Sequence, residues 1–569
     1  MHNQGPKSSP HPLVPRAGSR LDWLDDRVQQ AVKAALAGCP HYGPGTGGDP
    51  SAIELIQTHI SSVFITPEYV FKFKRPVDLG FADFTTLSRR RRFCRAEVRL
   101  NSRLAPDVYL EVLPLRLLGE GFGLNTGGRV VDYCVVMRHL PSHEMLDRRL
   151  AAGQVPPDAM ERLARLLARF HGRRTRRRDI ARYGSLDIIR TNIEENFSQV
   201  EPFIGRSISQ QVFQAIRTAS LESLERNAEL FRQRAEQGRI KDGHGDLRCE
   251  HIHLNDDDAG EPRVIDCIEF NDRFRFGDVA NDLAFLLMDL TAWGHQEMAR
   301  LLLDHYLSFS RDRSLERLVA FYACYRAFVR GKVTSFKLND RTLPPDELET
   351  IRREAARFFE LAHDFARQME PPVLLLVAGL MGTGKSTLCS RLREETGWAV
   401  YNSDEVRKEL LAQGGGGGHG AGGGAGQQDD FGQGLYSQGW NDRTYRELYS
   451  RAADRIDAGH SVILDASFAS GNRRDAARRL ARERGARLMV LECRLAERAT
   501  LARLAERQAA GESVSDGRVE IYHRQKAAFE PIREFGAEEH LVVDTADQPE
   551  TLTGGIIRWL APPPPLFGA

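Results

Sequence analysis

No stretch of the 569 residues approaches the roughly 20 consecutive apolar residues that a membrane-crossing helix needs. None of the eight cysteines (39, 94, 134, 249, 267, 324, 389 and 493) stands in a CxxC pair. Several sit in apolar surroundings, such as Cys134 in YCVVM, which points to buried free thiols in a reducing compartment rather than a disulfide framework. Net charge is nearly absent, at +1, so no global field draws the chain to nucleic acid or to an anionic membrane. The N-terminal stretch is polar and Pro-rich and lacks an apolar signal core. These absences lead to the expectation of a cytoplasmic protein with no membrane partner. The basic runs Arg89–Arg92 and Arg173–Arg178 read as solvated surface; they leave nucleic acid open but give it no strong support. Oligomeric state is not legible.

What is present is ordinary for globular domains: 41% hydrophobic and 28% charged residues. The length is too great for one core and calls for two or three domains. Residues 1–50, rich in Pro, Gly and Ser around a helical stretch at Leu21–Leu36, read as a loosely ordered leader. VFITPEYVFKFKRPV alternates apolar and polar residues about Thr66-Pro67-Glu68, the pattern of a β-hairpin. YLEVLPLRLL and VVDYCVVMRHL read as further strands. After Pro141 the spacing becomes helical, as in DAMERLARLLARFHGR. The expected first domain is therefore 51–370, with a small lobe at about 51–140 and a helical lobe at about 141–370. Pro371-Pro372 marks the boundary. The second domain, 371–560, opens with VLLLVAGL, a run suited to a strand buried on both faces. Strands and helices then alternate, which implies a parallel sheet. A Gly-rich insert at 414–428 and a Pro-rich tail at 561–569 carry no core-forming residues.

Two stretches carry chemistry. Gly379–Ser386 reads GLMGTGKS and matches the phosphate-binding loop G-x-x-x-x-G-K-[ST], between a buried strand and a helix. Gly379, Gly382, Thr383, Gly384, Lys385, Ser386 and Thr387 form the candidate nucleotide-binding set. The glycines let backbone N–H groups face phosphate at a helix N-terminus, Lys385 reaches the β/γ-phosphates, and Ser386 offers a hard oxygen to Mg²⁺. This half resembles small P-loop kinases of the gluconate kinase, polynucleotide kinase and zeta-toxin type. The resemblance implies Asp404, in YNSDEVRKEL, as the carboxylate that contacts the substrate hydroxyl. It implies Asp465, in VILDASF, as the carboxylate that orients the metal, and Arg503 and Arg507 as lid arginines that stabilise the transferring phosphoryl group.

The second stretch, HGDLRCEHIHL from His244, resembles the aminoglycoside phosphotransferase family, whose fold is that of the protein kinases and whose pattern is H-G-D-x-x-x-x-N. RVIDCIEF and FGDVANDLAFL extend the likeness. It implies Asp246 as the group that orients and deprotonates an acceptor hydroxyl and Asp266 as the metal carboxylate. Lys72 would bind phosphate, with Lys74 on the same strand face as its rival, and Glu97 would be the ion-pair partner. Two departures stand out. The Gly-rich loop expected between the first two strands is missing, so that Ser61, Ser62 or Thr66 would have to supply donors. His251 occupies the place of the metal-binding Asn. An imidazole nitrogen suits Mn²⁺ better than Mg²⁺. Three readings stay open: His251 as a weak second ligand beside Asp266, a half that binds nucleotide without turnover, or a transition-metal site built from His244, His251, His253 and Cys249.

The expected fold class is multidomain α/β, a two-lobed kinase-like α+β domain followed by a P-loop kinase domain with a parallel sheet. The expected function is an ATP-dependent phosphotransferase acting on a hydroxyl of a small molecule, with ATP and Mg²⁺ as cofactors and Mn²⁺ admissible in the first half. The alternative is a regulatory protein whose kinase-like half senses nucleotide for an active P-loop half. The first half's helix FYACYRAFVRGKVTSFK, with Tyr325, Arg326, Arg330 and Lys332, is the candidate acceptor wall.

Overall fold

The computed structural model describes residues 21–39, 41–42, 48–173, 179–254, 260–414, 438–510, 519–547 and 549–560. Residues 1–20 of the expected leader, the Gly-rich insert from residue 415 onward and the tail at 561–569 lie outside them. The chain divides into two compact units. One comprises Met1–Gln214, Asn227–Asp312 and Tyr322–Ala362; the other comprises Ala215–Arg226, Arg313–Phe321 and His363–Ala569.

Among the described residues the first unit opens with a helix, α1 (Asp26–Ala37), at the helical stretch expected within the leader, but packed into the core rather than loosely ordered. The Asp25 carboxylate caps it by accepting from the N–H of Arg27 at 2.9 Å. Val28, Val32 and Leu36, four residues apart, form a buried stripe. With Trp23 they cover the small-lobe core of Phe64, Phe71, Phe73, Leu115 and Val136. The Trp23 and Phe73 rings lie 4.8 Å apart. The flanking Pro and Gly residues hid this stripe, because bulk composition says nothing about spacing.

Six strands then build one sheet: β1 (Glu54–Gln57), β2 (Ser61–Ile65), β3 (Tyr69–Lys74), β4 (Tyr109–Leu118), β5 (Gly121–Leu124) and β6 (Arg129–Arg138). Their order is β1-β2-β3-β6-β4-β5, with each neighbouring pair antiparallel. The hairpin about Thr66–Glu68 joins β2 to β3, and the hydroxyl of Thr66 closes it by donating to the carbonyl of Tyr69 at 2.9 Å. The connection between the first two strands is therefore Thr58–Ile60, not the stretch in which glycine was sought. A helix, α2 (Leu87–Asn101), crosses from β3 to β4 and presents a fully buried Glu97.

Beyond β6 the unit is mainly helical. Its centre is the helix Val279–Ala292, in which Leu283, Leu286, Leu287 and Met288 have no exposure. Just before it, Asp278 accepts from Arg234 Nε and Nη2 at 2.8 and 2.7 Å, and Arg234 also donates to Asp312 at 2.8 Å.

The second unit holds five parallel strands in the order Ala399–Asn402, Val462–Asp465, Val373–Ala378, Arg487–Arg494 and His540–Asp544. Val373–Ala378 is central and wholly buried. Leu374, Leu376 and Ala378 face one core, while Val373, Leu375 and Val377 face the other. This alternation explains the unbroken apolar run.

If Trp23 and α1 belong to the small-lobe core, Trp23→Ala removes about 3–5 kcal/mol of stability in urea denaturation. A loss under about 1 kcal/mol would mean that the segment merely lies on the sheet.

Candidate active sites

In the first unit the site is organised by one carboxylate. Glu97 offers Oε1 to Lys72 Nζ at 2.9 Å and Oε2 to Lys74 Nζ at 2.6 Å. The two lysines then part company. Lys72 Nζ also donates to Asp266 Oδ1 at 2.6 Å, whereas Lys74, 1% exposed, bonds to Glu269. Partial burial works against ionisation of Asp266, but the Lys72 ammonium outweighs it and holds the carboxyl well below the usual range. Asp266 has φ 63°, a left-handed backbone that Asp tolerates better than most residues. Its N–H donates to the hydroxyl of Tyr109 at 3.0 Å.

The loop from His244 is fixed from behind. Asp282 accepts from the N–H groups of His244 and Gly245 at 2.7 and 2.8 Å. Gly245 has φ 85°, and a Cβ there would meet the carbonyl of Phe274 at 2.9 Å, so glycine is required. Burial pushes His244 down to about 4, leaving it neutral, and its Nε2 lies 2.9 Å from the carbonyl of Ile265. Asp246 is held by Arg248, whose Nε and Nη2 donate to its two oxygens at 2.8 and 2.9 Å. Burial works against ionisation of Asp246, but His251 and Arg248 beside it lower its pKa overall. The sequence reading missed Arg248; an arginine two residues after a candidate catalytic carboxylate was the available signal.

His251 Nδ1 lies 2.8 Å from the carbonyl oxygen of Asp246. A carbonyl only accepts, so Nδ1 carries a proton, and any lone pair on the ring can sit only on Nε2. Nε2 lies 3.8 Å from Asp266 Oδ2 and 3.4 Å from Arg248 Nη2. The four-residue transition-metal reading fails on direction. His253 Nε2 pairs with Glu144 at 2.6 Å, His244 Nε2 turns to Ile265, and Cys249 is buried. Among the described residues no three His, Cys, Asp or Glu side chains converge on a common point. Of the hydroxyls expected to replace the Gly-rich loop, Thr66 is committed to its hairpin, while Ser61 and Ser62 Oγ are buried without a partner.

In the second unit the phosphate loop joins the central strand to the helix Lys385–Thr396. Gly382 and Gly384 have φ 74° and 83°, and a Cβ on Gly382 would strike Leu504 at 2.9 Å. Thr383 Oγ1 and Lys385 Nζ both donate to the carbonyl of Leu380, at 2.8 and 2.9 Å. The N–H of Met381 donates to Gln525 Oε1 at 2.7 Å, a contact with no sequence signal. Ser386 opens the helix, exposed at its N-terminal turn. Asp465 ends the neighbouring strand and accepts from Asn402 Nδ2 at 2.7 Å. Asp404 accepts from Arg407 at 2.8 Å, and Arg407 also reaches Asn441 at 2.9 Å. Arg503 donates to the carbonyl of Thr545 at 3.0 Å and lines a cavity of about 150 Å³ with Gly384, Thr387 and Asp547. Arg507 belongs to the same helix, but its side chain lies outside the described residues.

A lysine tied to a helix glutamate in one unit and a phosphate loop in the other define kinase-type phosphotransferase folds, present twice. Comparison with known proteins agrees. Residues 61–318 match the phosphotransferase enzyme family and residues 374–532 match an AAA domain. An uncharacterized protein of Mycobacterium tuberculosis is 32% identical over 445 residues, 78% of this chain and 84% of the relative; one of Mycobacterium bovis gives the same figures. The chain belongs to the family of these mycobacterial proteins and joins a phosphotransferase half to a P-loop kinase half. Among solved structures, a choline/ethanolamine kinase family protein from Mesorhizobium loti is 13% identical, covering 60% of this chain and 99% of its own, with a TM-score of 0.37. A gluconokinase from Sinorhizobium meliloti is 18% identical, covering 34% and 93%, with a TM-score of 0.24.

Proposed function

We propose that each half transfers the γ-phosphoryl group of ATP to a hydroxyl of a small molecule. The observation that carries this reading is Lys72, whose ammonium bonds at once to Glu97 and to Asp266. It sets a fixed cation beside a carboxylate suited to a metal, at the place where nucleotide phosphates would lie. Lys74 is sealed from solvent, so we assign the phosphate contact to Lys72. Asp246, ionised at neutral pH, orients the acceptor hydroxyl and receives its proton as the bond to phosphorus forms.

The donor set fits a divalent cation. Asp266 Oδ2 and the lone pair of His251 Nε2 lie 3.8 Å apart, one hard donor and one softer. A divalent cation held by Asp266 and His251 would supply positive charge against the nucleotide phosphates. In the second half the loop at Gly382 and Gly384 suits phosphate: both glycines have positive φ, and the loop leads into the N-terminus of the helix Lys385–Thr396. Lys385 supplies the charge that reaches the phosphates, Ser386 and Asp465 would hold Mg²⁺, and Asp404 faces the acceptor. Arg503, at the cavity beside Gly384 and Thr387, we assign to gripping the nucleotide.

Metal-dependent ATP turnover of the wild type, Asp246→Ala and Lys385→Ala tests this. Each substitution is expected to remove its own share. If Asp246→Ala left both turnover and a screen of hydroxyl acceptors unchanged, the first half would be a nucleotide sensor instead. The metal assignment has its own readout. In a Lys385→Ala background with a non-hydrolysable ATP analogue, His251→Asn should weaken Mn²⁺ binding, followed by electron paramagnetic resonance, about tenfold while leaving Mg²⁺ binding little changed. Equal Mn²⁺ affinity in the two proteins would remove His251 from the ligand set.

A further inference from the structure

The helix Glu316–Phe336 carries cationic side chains at 317, 326, 330 and 332, the last three in the candidate acceptor wall. Two are committed. Arg326 donates to Asn281 Oδ1 at 2.8 Å and to the carbonyl of Gly245 at 3.1 Å, so it braces the loop that bears Asp246. Lys332 Nζ donates to Asn196 Oδ1 and Gln199 Oε1 at 2.6 and 2.7 Å, on another side of the helix.

Arg330 differs. Among the described residues it makes no ion pair, its Nε is buried without an acceptor, and its guanidinium rests 5.0 Å from the centre of the Phe358 ring. It follows Arg326 by four residues and so shares the helix face that looks onto the catalytic loop. The charged groups within its electrostatic reach are Arg248, Asp289, Asp246 and Glu250. The carboxylates among them are already engaged: Asp246 and Glu250 pair with Arg248, and Asp289 accepts from the N–H of Cys249 at 2.8 Å.

Arg330 is partly exposed, but its buried Nε donor has no acceptor, and such a donor costs about 1–3 kcal/mol and does nothing for stability. Arg248 holds the candidate proton acceptor, and Arg330, one turn beyond the Arg326 that braces its loop, has a donor to offer on the same helix face. A polycation would be repelled from such a place, and an anion would be held by charge-assisted, planar hydrogen bonding.

We propose that the acceptor of the kinase-like half is an anionic hydroxyl compound, a hydroxy acid or a sugar phosphate, whose carboxylate or phosphate group binds Arg330. This rests on the reading of Asp246 given above. In the transfer the acceptor oxygen forms a bond to the γ-phosphorus and the bond to the β,γ-bridging oxygen breaks. ADP leaves with that electron pair, and the hydroxyl proton passes to Asp246. Arg330 takes no part in these bonds; it positions the acceptor through its anionic group.

The test uses the full chain, saturated with a non-hydrolysable ATP analogue so that both nucleotide sites are filled. Inorganic phosphate and citrate are titrated separately by calorimetry, and the tighter binder identifies the anionic group. Arg330→Gln should weaken that binding about tenfold or more, and Arg330→Lys should retain most of it. Without anion, Arg330→Gln should leave the melting temperature unchanged or raise it by about 2 °C, because a buried donor without an acceptor is gone. Equal anion affinity in wild type and Arg330→Gln, or no binding of either anion by the wild type, would overturn the proposal. So would a melting temperature lowered by more than about 4 °C with anion binding intact, which would make Arg330 structural. Absence of anion binding by the wild type with Asp246-dependent turnover present would defeat this inference alone; absence of that turnover with Arg330-dependent anion binding intact would defeat only the catalytic reading of Asp246.

Discussion

Glu97 has no exposure to solvent and meets an ammonium group at each of its oxygens. A buried carboxylate is tolerable only when paired, and removing a partner leaves a charge that costs several kcal/mol. That constraint locks α2 against β3. It also fixes the reach of Lys72, because Lys74 occupies the inner oxygen and turns toward Glu269. Lys72 is left to bridge toward Asp266, and Asp266 in turn faces His251 and the loop of Asp246. The small lobe thus aims one cation at the carboxylates of the helical part, and the rest of the site follows from that alignment.

In the proposed reading the two halves would hold phosphate by different physics. In the first, formal charges do the work, and each is steadied by a second group: Lys72 by Glu97, Asp246 by Arg248, the catalytic-loop backbone by Asp282. In the second, the backbone itself is the receptor. Glycines with left-handed backbone lead into the start of a helix, where free N–H groups and the dipole favour an anion. The parallel sheet supports this by placing the ends of Val373–Ala378 and Val462–Asp465 side by side, so that the phosphate loop and Asp465 emerge together.

The phosphate loop and the sheet around it were legible because their information is contiguous: a buried strand, a fixed spacing of glycines and a helix. The β2–β3 hairpin was legible for the same reason. What was not legible depends on distant partners. Lys72 and Lys74 share a strand face and both meet Glu97; only Asp266, 194 residues away, separates them. Gln525 meets the phosphate loop across 144 residues. The role of α1 escaped because its apolar stripe lies inside a stretch whose composition argues for disorder. His251 was visible as a substitution, but the carbonyl that fixes its tautomer appears only in the fold.

The central claim is that one chain holds nucleotide twice, by Lys72 and by Lys385. The most direct measurement is the stoichiometry of a non-hydrolysable ATP analogue on the full chain, by equilibrium dialysis with a divalent metal, for the wild type, Lys72→Ala and Lys385→Ala. The account predicts two sites in the wild type and the loss of a different one in each variant. A single site that vanishes with Lys385→Ala and ignores Lys72→Ala would contradict it.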